Sequence, residues 1–301
     1  MIVIIGALIL LLIFACRKRY SFKGKTLLIT GGSSGLGKAI AKEALKRGAH
    51  KVTLVARGME NLRNAQSDLK KLFPDAIVEI VSASVTDTKW SQEYFQANSF
   101  DYVFACAGIS KPGFFIEQSI DEFKECMELN YFGTVNVLRE ASRAMIRDGI
   151  KGHLVIISST LGLMGLTGYS SYAPTKHALK GLAECLRQEL LPHDITTHIY
   201  FVGTITSPGY KQENLNKPEI TRVLEGEPDV SCTPEARAQV LLDGIEKGKF
   251  AISSDFNTRL FWSASSGANP KSIADILLTP LGAIALPVWR HYADYKVKAS
   301  E

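Results

Sequence analysis

A chain of 301 residues, 46% hydrophobic and 22% charged, is long enough to bury a full core and too apolar for a disordered segment. Its formal net charge of +5 is spread along the chain without a basic block interleaved with aromatics, so no nucleic-acid partner is expected. Five cysteines with no C-x-x-C pair and no accompanying histidine cluster argue against a metal site or disulfide framework and for a reducing compartment.

The first element is the uncharged run 2–16, IVIIGALILLLIFAC. As a helix it would reach roughly 22 Å, against about 30 Å of bilayer hydrocarbon. It lacks the polar face of an ordinary buried helix. Basic residues follow the run, at Arg17-Lys18-Arg19, rather than preceding it as in a cleaved signal peptide. By the positive-inside rule the rest of the chain then stays cytosolic. Residues 1–16 read as a membrane anchor and 17–23 as a basic linker.

Apolar strands then alternate with amphipathic helices. Strands are predicted over 26–30 (TLLIT), 51–56 (KVTLVA), 78–81, 102–106, 153–157 (HLVII) and 196–202. Helices are predicted over 38–47, 59–72, 120–148, 178–191 and 234–247. Continuous apolar strands with intervening helices predict an α/β fold, a Rossmann-type doubly wound parallel sheet in a single domain spanning 24–250. Residues 203–233, rich in Pro, Gly, Asn and Glu, have the length of a substrate-covering loop or a mobile surface loop. The apolar stretch 273–289 contains Asp275, Pro280 and Pro287. That suits a helix in the membrane interface or a re-entrant segment better than a spanning helix, with a buried C-terminal helix as the alternative. Residues 251–301 therefore read as a C-terminal membrane-associated segment.

The turn Thr30-Gly31-Gly32-Ser33-Ser34-Gly35-Leu36-Gly37 joins the first strand to the first helix. Glycine permits the tight turn and close approach of a pyrophosphate, and the helix N-terminus offers free amides to phosphate. Gly31, Ser33, Ser34, Gly35, Leu36 and Gly37 are the candidate cradle of a dinucleotide. The second strand ends in Ala56-Arg57 rather than in an acidic residue. An arginine there offers a donor fork to a 2′-phosphate, with Lys38 adding charge, which points to NADPH.

Tyr172 and Lys176 stand four apart, on one helical face, with Pro174 in the first turn. A nearby ammonium should lower a phenol's pKa and make the pair a proton donor to a carbonyl. Tyr169 has no lysine four residues on and is the weaker candidate. Ser159, past the fifth strand, lies at the carboxyl edge that faces ligand in open α/β sheets. Asn130 interrupts a helical region, unfavourably unless its side chain has a task.

The glycine turn, Ala107-Gly108, Asn130, Ser159 and the Tyr172/Lys176 pair, in this order, resemble the short-chain dehydrogenase/reductase family over roughly residues 24–207. The resemblance implies that Tyr172 is the general acid, that Lys176 binds the nicotinamide ribose, that Ser159 orients the carbonyl and that Asn130 holds a water. It also implies cofactor contacts from Ala107, Gly108, Ile205 and Ser207, and a homo-oligomer pairing through the helices that carry Asn130 and Tyr172. Cys106, Ser84 and Val202 depart from the usual Asn, Asp and Pro of that family. Residues 207–210 (SPGY), Glu213-Asn214 and 217–222 (KPEITR), with the two apolar ends, resemble its branch that reduces long-chain keto-amine lipids in sphingolipid synthesis, at the cytosolic face of the endoplasmic reticulum membrane. A membrane-associated reductase of steroids or retinoids, and a non-catalytic NADPH-binding lipid sensor, remain as alternatives.

Overall fold

The computed structural model describes residues 19–229, 232–266 and 270–300. The anchor expected at 1–16 and the start of its linker lie outside the described residues. β1 (Thr26–Thr30), β2 (Lys51–Ala56), β3 (Ile77–Ser82), β4 (Tyr102–Ala105), β5 (His153–Ser159), β6 (Thr196–Val202) and β7 (Ala251–Ser253) form one sheet. Every pairing is parallel, in the order β3-β2-β1-β4-β5-β6-β7. The expected doubly wound sheet is thus present.

The period of two along a strand splits the core into two layers. On β1, Leu27 and Ile29 enter one cluster with Ile40, Leu241 and Leu242, while Leu28 enters the other with Leu138, Leu179 and Trp262. The first layer is closed by α1 (Gly35–Lys46), α2 (Met59–Leu72) and, from further along, Pro234–Glu246. The second is closed by α3 (Thr88–Ala97), Gly133–Arg147 and Ala173–Glu189. The strand order reverses between β1 and β4, so the loops after these two strands diverge and open a crevice at the carboxyl edge.

Several elements differ from the sequence expectation. The region 120–148 is α4 (Ile120–Met127), a π-helical turn at Glu128–Phe132, and α5 (Gly133–Arg147). The helix expected at 178 begins five residues earlier, as α6 (Ala173–Glu189), directly after Tyr172. The segment 203–233 holds two short helices, α7 (Pro208–Glu213) and α8 (Glu219–Glu225), followed by α9 (Pro234–Glu246).

The sheet also continues past residue 250. β7 pairs with β6, and α10 (Phe256–Ala264) buries Trp262 in the second core layer, so the boundary at 250 falls inside the domain. The short strand carries only three residues, too few for its alternation to register in sequence.

α11 (Ile273–Lys298) runs unbroken through Pro280 and Pro287. Asp275, which argued against a spanning helix, closes a capping box with Ser272 at its start. One face packs on the domain: a Cβ on Gly282 would come within 2.8 Å of the Ala264 Cβ, and Trp289 meets Phe261 edge-on at 5.9 Å. The opposite face is an apolar stripe that includes Leu277, Ile284 and Val288, 75%, 71% and 67% exposed.

Candidate active site

The crevice at the β1/β4 reversal is a cavity of about 1420 Å³, lined from the glycine turn to α11. That exceeds the about 300–1,000 Å³ of a cleft for one drug-sized molecule and leaves room for two reactants. Its lining includes Ala285, Leu286 and Trp289 of α11.

The glycine turn forms one wall. Gly31 and Gly35 take positive φ, +65° and +50°, where side chains are strained. A Cβ on Gly37 would lie 2.3 Å from the Gly31 carbonyl oxygen, so α1 can start this close to β1 only with glycine there. Ser34 precedes α1 without capping it through its side chain, which leaves the first-turn amides facing the cavity. Thr30, which the sequence did not single out, fastens this turn to the loop after β4. Its Oγ1 accepts from the amides of Cys106 (3.0 Å) and Ala107 (3.1 Å) and donates to the Phe104 carbonyl (3.3 Å). The loop carrying Ala107 and Gly108 is thereby held at the cavity, and burial pushes the Cys106 thiol up to about 12, leaving it an inert neutral group.

Arg57 is exposed and lines the cavity beside the turn, and its guanidinium has no ion pair among the described residues. Lys38 does not join it. Its Nζ pairs with Asp68 at 2.7 Å, outside the lining, so the expected second charge for a 2′-phosphate is engaged with α2. If Arg57 holds that phosphate, Arg57→Ala should raise the Michaelis constant for NADPH by about 10- to 100-fold, the worth of a charge-assisted hydrogen bond. The constant for NADH should barely move, and equal losses with both cofactors would remove Arg57 from this role. Ser207 closes the far side: it caps α7 through Tyr210 N (3.2 Å), and its Cβ would lie 3.4 Å from a Cβ on Gly35. Ile205 lines the same wall.

The floor is built on β5 and the start of α6. Ser159, the last residue of β5, accepts from Leu161 N at 3.1 Å. Lys176, buried one turn into α6, donates to the Ile157 carbonyl at 3.0 Å and stands 5.5 Å from the Tyr172 ring centre. Asn130 is fully buried in the π-helical turn, where the helix is locally widened. It accepts from Ile109 N (2.8 Å) and donates to the Ile109 carbonyl (2.9 Å) and to Thr175 Oγ1 (3.0 Å). Thr175 in turn donates to the Tyr172 carbonyl at 2.7 Å. Asn130 therefore ties the Gly108–Ile109 loop to the backbone that presents Tyr172. A Cβ on Gly108 would sit 2.9 Å from Asn130 Oδ1, so glycine is needed for that contact.

The electrostatics differ from the expectation that Lys176 lowers the phenol. Burial, then the charge of Glu213, raises the Tyr172 pKa well above the ordinary tyrosine value, and the Ser159 hydroxyl only partly opposes this. Burial also lowers Lys176, to about 8. Desolvation is the largest influence on both groups, and Tyr172 is a neutral phenol placed to donate.

A second group was not legible in sequence. The Tyr169 hydroxyl donates to Glu213 and Glu225, and Lys217 Nζ lies 3.0 Å from Glu213 Oε1 and 2.6 Å from Glu225 Oε2. Tyr169, set aside for lacking a lysine four residues on, finds one from α7–α8 instead.

Residues 25–218 match the family model for short chain dehydrogenases. A 3-ketodihydrosphingosine reductase of Cryptococcus neoformans is 35% identical, spanning 99% of this chain and 92% of its own length. One from Dictyostelium discoideum is 36% identical over 92% of this chain and 89% of its own. A 3-dehydrosphinganine reductase of Danio rerio is 33% identical over 84% of this chain and 78% of its own. Among solved structures, a short-chain dehydrogenase from Sphingobium yanoikuyae in complex with NADPH superposes with a TM-score of 0.70 at 21% identity, covering 82% of this chain and 98% of that one.

Proposed function

The chain belongs to the short chain dehydrogenase family, and on that premise we propose that it reduces the C3 ketone of 3-ketodihydrosphingosine, a long-chain amino ketone, to dihydrosphingosine with NADPH. The observation that carries this reading is similarity over 84–99% of the chain to reductases named for that substrate in fungi, Dictyostelium and vertebrates. The convergence of Ser159, Tyr172 and Lys176 on one cavity supports it as chemistry.

NADPH, whose pyrophosphate the glycine turn would hold, would supply the hydride when bound. Tyr172, kept neutral by burial, gives its proton to the ketone oxygen as negative charge develops there. Ser159 borders the same end of the cavity and donates to that oxygen. Lys176, cationic below about pH 8, steadies the phenolate that Tyr172 becomes. Asn130 acts at one remove, fixing the loop and the backbone on either side. Incubating the protein with 3-ketodihydrosphingosine and NADPH should give dihydrosphingosine with one NADPH consumed per product. Turnover of a steroid ketone without that product would reverse the assignment.

A substrate with a long alkyl tail resides in membranes, and the reading places the enzyme at the cytosolic face of the endoplasmic reticulum. α11 is long and apolar enough to cross a bilayer. Its inner face is nonetheless packed on α10, and spanning would strip that contact, so it is assigned to the interface with its exposed stripe toward lipid. A chain beginning at Ser21 should still float with phospholipid vesicles. Ile284→Asp with Val288→Asp should release it without changing its melting temperature, and unchanged flotation would move the contact elsewhere.

A further inference from the structure

The buried group around Tyr169 has an unbalanced charge facing the chemistry. α7 and α8 bring Glu213 and Glu225 over the turn that leads into α6. The rings of Tyr169 and Tyr172 are 6.0 Å apart, so both carboxylates lie one aromatic ring from the proposed acid. Tyr169 has a single proton to share between them. Lys217, its side chain 0% exposed, contributes one positive charge against two negative ones. Tyr169, Glu213 and Glu225 line the cavity, whereas Lys217 does not and backs them from behind. One negative charge in excess therefore faces the cavity, on side chains 19% and 15% exposed, and would draw a cation to it.

That excess also works against the reaction. The charge of Glu213 helps raise the Tyr172 pKa and so opposes loss of its proton. A cation seated against the carboxylates would balance the buried charge and make Tyr172 a stronger acid when the ketone arrives. A plain ketone brings no such cation.

We propose that Glu213 and Glu225 form the subsite for the ammonium carried on the carbon next to the substrate ketone, so that the enzyme selects α-amino ketones. The proposal rests on the reading above that the substrate is a long-chain amino ketone. Adjacent amine and ketone would then meet adjacent partners, the amine at the carboxylates and the ketone at Tyr172. Lys217 supports the carboxylates from the protein side, and the substrate completes the neutralisation.

The test is a ratio of kcat/KM values, measured on the full chain with NADPH. The two substrates are 3-ketodihydrosphingosine and a long-chain 3-ketone of equal length lacking the amine, with the N-acetylated amine as a neutral control of similar bulk. Wild type should favour the amino ketone over both by about 10- to 100-fold, the range for a hydrogen bond to a charged group. Glu213→Gln and Glu225→Gln, which keep a polar partner for Tyr169, should bring that ratio toward one. A purely structural role would lower all substrates together and leave the ratio intact, which would overturn the subsite. So would a wild type that does not discriminate, and that measurement decides even where a variant fails to fold. Reduction of the amino ketone without discrimination sinks the subsite alone. Failure to reduce it, with turnover of an unrelated ketone, sinks the functional reading and the subsite with it.

Discussion

Tyr172→Phe should lower kcat for ketone reduction by about 10²- to 10⁴-fold, the usual contribution of a positioned general acid. The ring is retained, so its packing against Tyr169 and the turn into α6 should survive. NADPH affinity, read by the fluorescence of the bound cofactor, should stay within about twofold, since one hydroxyl is lost at the substrate end. Turnover at the wild-type rate would remove Tyr172 from the chemistry. The pH profile offers a second check. Tyr172 is raised and stays protonated through the neutral range, so it does not set the alkaline limb. Lys176 is lowered to about 8, so its charge is present below that pH and lost above it. kcat/KM, which reports the free enzyme, should therefore fall as pH rises through about 8.

Lys217→Met should be strongly destabilising for the segment 203–233. The methionine fills much the same space but leaves Glu213 and Glu225 facing each other without their shared cation. Breaking a buried ion pair from one side costs about 3–5 kcal/mol, on the order of 10 °C in melting temperature for a domain of this size. Adding Glu213→Gln and Glu225→Gln to the same chain should recover most of that loss, because the triple variant leaves no unpaired charge. A single variant as stable as wild type would show that the three groups are not coupled. Local loss of order in 208–225, seen as faster proteolysis there, is the expected first sign.

The strands and the glycine turn were legible because their signals are local. An apolar run of five or six residues bounded by Gly or Pro states its own burial, and Gly31, Gly35 and Gly37 carry their backbone requirements with them. Tyr172, Lys176, Ser159 and Asn130 were recognisable as types at spacings; the structure brings the first three to one cavity and sets Asn130 behind them, bonded to Ile109 and Thr175. What escaped the sequence depends on partners far along the chain. Thr30 acts on residues 76 and 77 positions away, and nothing local marks that. The Tyr169 hydroxyl meets Glu213 and Glu225 at separations of 44 and 56 residues, across a segment whose composition resembles an unstructured loop. The partner of Lys38 was missed for the converse reason. Its position beside the glycines suited a phosphate, but an acid thirty residues on competes for it. The sign of the Tyr172 shift was also out of reach, because spacing reports proximity to Lys176 and says nothing of how far both groups are desolvated.

α11 does two things with one length of chain: its outer stripe is apolar and exposed, while Ala285, Leu286 and Trp289 on its inner side belong to the cavity wall. On the interfacial seating proposed above, a lipid held in a leaflet would reach the reacting end by sliding past the helix, its tail never leaving hydrocarbon. Under that arrangement the relevant search is two-dimensional. Rate would follow the mole fraction of substrate in the bilayer, so that diluting it with inert phospholipid slows the enzyme even at constant bulk concentration.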